Sequence, residues 1–398
     1  MLEQKPLVSV ILLCYRNASR IRPSINSVLQ QDYPALELVI SDDGSADFNE
    51  ADIRAYIEQE RTPNLRNYII LHSTENKGTV RNLRAALDAY TGDYYINMGA
   101  DDRLAANDVI SAYIDAFDTF GFNTLLVSGQ MAMANEECTV TLNYALNKED
   151  ILTLCSGDSK RLFSRLSHRC LPATVATCYS RAFDSIVEGR DTAYRYSEDH
   201  HTFQRMARKG IVPVYINRIT AYHPAGGVAN GGSLYDPQVQ ESFRADKLRM
   251  WKKEIYPYWD DVLPADRKLH RKRLKLDRDN YILNSRFRSV QGKMKKLPAL
   301  IAHPLLGLLH LNDVTLSTRG RSIEEFRATL RDLSPMFLLA LVTLYVLHFA
   351  VLLPPPFQQI LESIIMGIVF LYALVMVSIA TLLALYAFAR WRFRKRHN

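Results

Sequence analysis

Cysteine is scarce in this chain and follows no pattern. The 398 residues include five, Cys14, Cys138, Cys155, Cys170 and Cys178. They form no CxxC pair and share no paired spacing with histidine, so neither a zinc site nor a disulfide framework is expected. Reduced thiols in a cytosolic compartment are the expectation instead. A secretory leader is not expected here either: "MLEQKPLVSVILLCYRN" has a short apolar centre, but Glu3 precedes it, Ser9 interrupts it and no small-residue cleavage site follows. That segment is expected to be a buried strand. No internal repeat and no low-complexity stretch precedes the apolar C-terminal region. The net charge of +7 comes without an RNA- or DNA-binding signature. Nucleic acid is therefore not an expected partner, and a nucleotide or an anionic lipid surface is.

Charge is absent from two long runs near the C-terminus. Pro335 to Leu353 reads "PMFLLALVTLYVLHFAVLL", and Ile364 to Ala389 is almost as apolar. Each reaches the roughly 18 to 25 residues a membrane span requires, so two transmembrane helices are expected. Arg319, Arg321, Arg327 and Arg331 precede the first run, "RWRFRKRHN" follows the second, and only "PPPFQQILES" separates them. The positive-inside rule then puts both basic flanks in the cytoplasm and the short loop outside. His348, alone on an apolar run, suits a packed interface better than a ligand role. Ahead of the runs, "DRKLHRKRLKLDRDNYILNSRFRSVQGKMKK" leads into "LPALIAHPLLGLLHL". A basic stretch beside an amphipathic one is what an interfacial helix on anionic membrane lipids requires. The expected division is a sheet-based domain over 1–235, a basic juxtamembrane helical region over 236–332, two transmembrane helices over 333–390 and a basic cytosolic tail over 391–398.

The first hundred residues alternate in period. "LVSVILL" is continuously apolar, as in a strand buried on both faces, and "SRIRPSINSVLQQ" has helical spacing. "LELVISDDGS" is a second strand ending in a turn, "NYIILHS" a third, "NKGTVRNLRAALDAYTG" a helix closed by Gly92, and "DYYINM" a fourth strand. That succession implies an α/β domain with a mostly parallel sheet and helices on its faces. Ligands of such sheets bind beyond the carboxyl ends of the strands. At those ends stand Tyr15, Arg16 and Asn17, then Asp42 and Asp43, then Asn76 to Arg81, then Asp101 and Asp102. Any one of these clusters has an ordinary explanation as a turn or a solvated loop. Their joint order is the signal.

That order resembles the family-two glycosyltransferases, inverting enzymes of GT-A fold that use nucleotide-sugar donors. The resemblance spans roughly residues 7–223 and rests on "VSVILLCYRN", "SVLQQDYPALELVISDDGSAD", "NKGTVRNLRAAL", "TGDYYINMGADD" and "SEDHHTF". It implies that Tyr15, Asn17, Asp42, Asp43, Arg81, Asp101 and Asp102 bind the donor. In that scheme Tyr15 stacks on the base, Asp43 bonds the base edge, Arg81 reaches base or phosphates, Asp101 faces the ribose and Asp102 holds a divalent cation. A UDP-sugar with Mn²⁺ or Mg²⁺ is the implied donor system, and hard carboxylate ligands suit those cations. Asp199 is the implied catalytic base, with Glu198 shaping its position. The alternative for "SED" is a plain helix cap. His223 matches a histidine that serves in several relatives as a metal ligand or diphosphate contact; the alternative is a loop histidine with no role. His200 and His201 are expected at the surface, outside the site. Many relatives have Asp-Ala-Asp-Asp where this chain begins with Gly99.

The Gln-x-x-Arg-Trp motif of processive synthases is missing, so single additions are expected, on a lipid-linked or other glycan acceptor in cell-envelope polysaccharide or glycolipid synthesis. The expected location is a bacterial inner membrane, with the catalytic domain and both termini cytoplasmic. A polyprenyl-phosphate glycosyltransferase is the nearest alternative, although "KGTVRNLRAA" and "GADDRL" replace its usual stretches. A sugar-nucleotidyltransferase and a non-catalytic membrane scaffold are the others.

Overall fold

The computed structural model of the chain describes residues 5–224 and 237–284. The two expected transmembrane helices, the tail and about half of the basic juxtamembrane region, residues 285–332, lie outside the described residues. Among the described residues, no helix is long and apolar enough to cross a membrane.

In chain order the strands are β1 (Val8–Cys14), β2 (Leu36–Asp42), β3 (Leu65–His72), β4 (Tyr94–Gly99), β5 (Arg103–Leu104), β6 (Leu126–Ala134), β7 (Thr141–Tyr144), β8 (Thr177–Ser180) and β9 (Val214–Pro224). The helices are α1 (Ile21–Leu29), α2 (Glu50–Glu60), α3 (Thr79–Ala89), α4 (Val109–Phe120), α5 (Lys148–Leu154), α6 (Ser159–Leu166), α7 (Phe183–Val187), α8 (His200–Arg208), α9 (Pro237–Met250) and α10 (Pro264–Asn284). Among the described residues one sheet runs in the order β3-β2-β1-β4-β8-β6-β9-β5, with β7 on β6. β3, β2, β1 and β4 are parallel neighbours, so their carboxyl ends share one edge.

The apolar strands are buried on both faces, as their unbroken hydrophobicity requires. Val8, Val10 and Leu12 of β1 join Ile21, Ile25, Ile114 and Phe117 from α1 and α4 on one side. Ile11, Val39 and Tyr95 join Leu83, Leu162 and Phe203 from α3, α6 and α8 on the other. Packing runs past the expected boundary at residue 235, because Met250, Ile255 and Val262 belong to the second core.

Two local readings change. The sequence pattern gives little sign of α2, a helix that buries only Ile53 and Ile57 and carries five acidic or basic residues among its others, Glu50, Asp52, Arg54, Glu58 and Glu60. The helix α3 ends at Ala89, before Gly92. Gly92 instead lets its turn press on β1, where a Cβ would stand 2.4 Å from Ser9 Oγ.

Candidate active site

The turn after β1 brings its polar groups back over the sheet edge. Arg16 adopts a left-handed φ of 56°, and its N–H donates to Ser45 Oγ at 2.8 Å, tying this turn to the one after β2. Its guanidinium lies 5.0 Å from the centre of the Tyr15 ring. Asn17 Oδ1 accepts the Tyr15 N–H at 3.0 Å, while its Nδ2 donates to Asp101 Oδ1 at 3.4 Å. Residues from the ends of β1 and β4 thus meet.

The two acids after β2 divide their work. Asp42 is buried, accepts the Ser45 N–H at 2.8 Å and lies 2.9 Å from His72 Nδ1, so it holds the "DDGS" turn in place. Asp43 accepts the N–H of Lys77 on one oxygen and that of Gly78 on the other, both at 2.8 Å. Those donors lie just ahead of α3, where a carboxylate is also favoured by the helix dipole. Arg81, in the first turn of α3, is exposed and has no hydrogen-bonded or ionic partner among the described residues.

Beyond β4 the chain folds so that Asp102 is 1% exposed and its Oδ2 accepts the Gly99 N–H at 2.6 Å. Its other oxygen lies 2.6 Å from Nδ1 of His223. The register explains this meeting across more than a hundred residues: Arg103 pairs with Tyr222 in the antiparallel β5–β9 ladder, so the flanking residues Asp102 and His223 fall side by side. Burial works against the His223 charge, but the Asp102 carboxylate outweighs it and raises the imidazole above its ordinary value. Asp101 is also raised, by burial first and by Asp102 second. Gly99 belongs to this crowding, since a Cβ there would stand 3.0 Å from Asp101 Oδ1 and 3.1 Å from Asp102 Oδ2. Among the described residues, no three His, Cys, Asp or Glu side chains form a ready metal cage.

Asp199 is the N-cap of α8, its Oδ1 accepting the His200 N–H at 2.6 Å. The cap takes one oxygen only. Oδ2 lies within 3.3 Å of the Cys170 thiol and 3.4 Å of the Thr174 hydroxyl, both donors to it. Thr174 locates this group in the fold. β4 and β8 pair antiparallel as Tyr94↔Ser180 through Ile96↔Cys178, so the 3₁₀ turn Thr174–Ala176 that leads into β8 lies toward the carboxyl end of β4, against which it packs. Asp199 therefore belongs to the same sheet edge as Asp101 and Asp102. Glu198 is raised to about 8 by burial and by the neighbouring Asp199 charge, with Arg190 opposing.

The structure joins Asn17, Asp101, Asp102 and His223 directly, sets Asp43 and Arg81 at the start of α3, and links Asp199 through Thr174. Sequence reasoning missed Ser45, His72, Cys170 and Thr174, which carry no motif of their own. His201, expected at the surface, is fully buried and stacked on Tyr194. A shallow cavity of about 500 Å³, lined by Arg84, Asp184, Glu188, Arg190, Asp191 and Arg205, contains none of the strand-end residues.

Residues 9–130 match the family profile described as "Glycosyl transferase family 2". An "Uncharacterized glycosyltransferase" of Haemophilus influenzae is 24% identical over 272 residues, covering 67% of this chain and 79% of that protein. The "Putative teichuronic acid biosynthesis glycosyltransferase TuaG" of Bacillus subtilis is 32% identical over 103 residues, 26% of this chain and 39% of its own length. Residues 1–349 of S. aureus TarS superpose with a TM-score of 0.50 at 16% identity, covering 74% of this chain and 80% of that one. At that identity the likeness is one of fold, and it supports the expected α/β, GT-A-like architecture.

Proposed function

We propose that this protein is an inverting glycosyltransferase that moves one sugar from a nucleotide-sugar donor, a UDP-sugar, to a hydroxyl of a lipid-linked glycan in cell-envelope polysaccharide or glycolipid synthesis. The observation that carries this reading is the gathering of Asp101, Asp102, His223 and Asp199 at the edge where the parallel strands β1, β2 and β4 end. The family match over residues 9–130 points the same way.

In this reading the donor lies along the ends of β1, β2 and β4. Tyr15 offers a ring for the base, Asp43 a carboxylate at the base edge, Asp101 a carboxyl for the ribose and Arg81 an exposed cation for the phosphates. Asp102 and His223 present an oxygen and a nitrogen donor 2.6 Å apart. Asp102, joined by His223 once the proton between them is lost, would hold Mn²⁺, and Asp102 alone would suit Mg²⁺. A bound cation supplies charge neutralisation for the departing nucleoside diphosphate. Asp199 Oδ2 takes the proton of the acceptor hydroxyl as that oxygen attacks the anomeric carbon, and the bond to the diphosphate breaks on the opposite face. Anchoring by the two apolar C-terminal runs, with this domain in the cytoplasm, sets the site beside a lipid carrier.

The test is a thermal-shift screen of UDP- and GDP-sugars with and without Mn²⁺, followed by calorimetry. Wild type should bind a nucleoside diphosphate only with the cation, and Asp102→Ala should weaken that binding. Undiminished, metal-dependent binding in Asp102→Ala would remove Asp102 from the metal site. Failure of every nucleotide sugar to stabilise the protein would remove the reading itself.

A further inference from the structure

The loop ahead of the proposed base is held from outside by a residue in a distant part of the chain. Asp246 on α9 is 2% exposed. Its Oδ2 accepts the backbone N–H of Arg195 at 2.9 Å, Tyr196 at 2.7 Å and Ser197 at 3.2 Å, and its Oδ1 lies 3.1 Å from the first of these. Three consecutive N–H groups converging on one point form a concavity for an anion, and here a buried carboxylate fills it. The grip extends along the helix. Phe243, three residues earlier, stacks on Tyr196 with ring centres 4.6 Å apart, and the Arg249 guanidinium, three residues later, lies 5.7 Å from the Tyr194 ring centre. Glu198 and Asp199 follow directly on the held residues.

The far side of the same loop touches the donor side. Arg195 accepts the Val80 N–H at 3.1 Å on its carbonyl, and its Nη2 donates to Asn76 Oδ1 at 2.6 Å. Gly78 makes room for this contact, since a Cβ there would stand 2.5 Å from Arg195 Cγ. The 195–197 backbone is thus fixed between α9 and the loop that Asp43 holds.

We propose that Asp246 is a positioning residue for glycosyl transfer: by fixing the backbone of Arg195 to Ser197, it sets where the Asp199 carboxylate stands relative to the donor loop 76–80. This rests on the reading of Asp199 as the base. Asp246→Asn keeps the volume and one acceptor oxygen but removes the charge and sets its N–H₂ group against the Arg195 N–H that Oδ1 meets at 3.1 Å, so the hold on the loop weakens. A displacement of about 1 Å at a catalytic group costs on the order of a hundredfold in rate, whereas the donor contacts of Tyr15, Asp43 and Asp102 stay in place. A residue that merely ties α9 to the domain would show a loss of stability with turnover per folded molecule unchanged.

The experiment uses the full chain, UDP with Mn²⁺ as the binding probe, and hydrolysis of the nucleotide sugar selected by the screen, with water as acceptor. In Asp246→Asn, UDP affinity should stay within about threefold while hydrolytic turnover falls roughly ten- to a hundredfold. Backbone amides of 195–197 should exchange faster with solvent deuterium. Asp246→Glu, which keeps the carboxylate, should recover part of the turnover, and it carries the same comparison if the Asn variant does not fold. Leu248→Ala, on the exposed side of α9, should change neither quantity. Faster exchange with unchanged turnover would overturn the proposal, as would turnover and UDP affinity falling together. If wild type binds no nucleoside diphosphate, the glycosyltransferase reading fails and takes the catalytic role with it, while amide exchange still shows separately whether Asp246 holds the loop.

Discussion

Asp199 caps its helix with one oxygen, while the other lies outside the cap and accepts from Cys170 and Thr174; in the proposed reading that second oxygen takes the acceptor's proton. Asp199→Asn retains a capping oxygen but cannot take a proton. Turnover should therefore fall by about a hundred- to ten-thousandfold, with UDP affinity nearly intact; near-normal transfer would leave Asp199 a cap and make Glu198 the candidate base. The neighbouring histidine gives a second prediction, in stability. His201 Nε2 accepts the Asp191 N–H at 3.0 Å and its Nδ1 lies 2.7 Å from the Ser197 carbonyl oxygen, an arrangement that suits the neutral ring. Burial lowers its pKa from 6.5 to about 4, with the Ser197 carbonyl opposing. Below pH 6.5 the unfolded chain takes up a proton that the folded chain refuses, so stability is complete above that pH and is lost as pH falls through 4. The loss is on the order of 3 kcal/mol. Denaturant melts of His201→Gln should show a flatter pH dependence between 7 and 4, and an unchanged slope would mean that the folded ring titrates normally. The sequence could not show this burial, because two adjacent histidines at a helix start carry no periodicity and the covering ring of Tyr194 is a matter of tertiary packing.

At the scale of elements, legibility followed the strength of the local pattern. β1 and β2 announce themselves as unbroken apolar runs because both faces are covered, and the acids at their ends are conspicuous against such neighbours. α2 was missed because a helix that buries two isoleucines leaves little periodic trace. The partners of the site were hidden for another reason: His223 reaches Asp102 through the β5–β9 register and Asp246 reaches the 195–197 loop from α9, both long-range pairings that no local pattern encodes. Gly78 shows an element boundary under constraint from both directions. It has φ 93°, precedes α3 and lies against Arg195 Cγ and its carbonyl oxygen. Gly78→Ala adds backbone strain to a steric clash, and should cost about 1 to 3 kcal/mol in denaturant unfolding. It should also weaken UDP binding, because the Gly78 N–H is one of the two that orient Asp43. Wild-type stability and UDP affinity in this variant would show that the two loops are not in fact pressed together.

For the whole molecule the question is how a chain with net charge +7 meets the membrane that its acceptor is proposed to occupy. α10 gives part of an answer. Asp266 and His270 are buried, whereas Lys268, Arg271, Lys272 and Lys275 are exposed at the i, i+3, i+4, i+7 spacing of one helix face. A basic stripe of this kind is attracted to an anionic leaflet by about 1 kcal/mol per residue near the surface, roughly fivefold in partition for each. The stripe lies ahead of the apolar runs over 335–353 and 364–389, whose expected topology sets both termini and this helix on the cytoplasmic side. Two measurements follow from one geometry. With Gln358→Cys in intact cells, an impermeant maleimide should label from outside, and labelling only after permeabilisation would invert the topology. With a 1–320 fragment, which corresponds to one compact unit, vesicles containing phosphatidylglycerol should bind at low salt and release the protein as ionic strength rises, since exposed charges are screened within about 10 Å at 0.1 M. Replacing Lys268, Arg271, Lys272 and Lys275 with alanine should then abolish most of the association while leaving UDP binding alone, because the site stands on the sheet edge and draws none of its donor contacts from α10. Equal binding to neutral phosphatidylcholine vesicles, or retention at high salt, would assign the attraction to apolar surface and leave the basic stripe a solvated helix face.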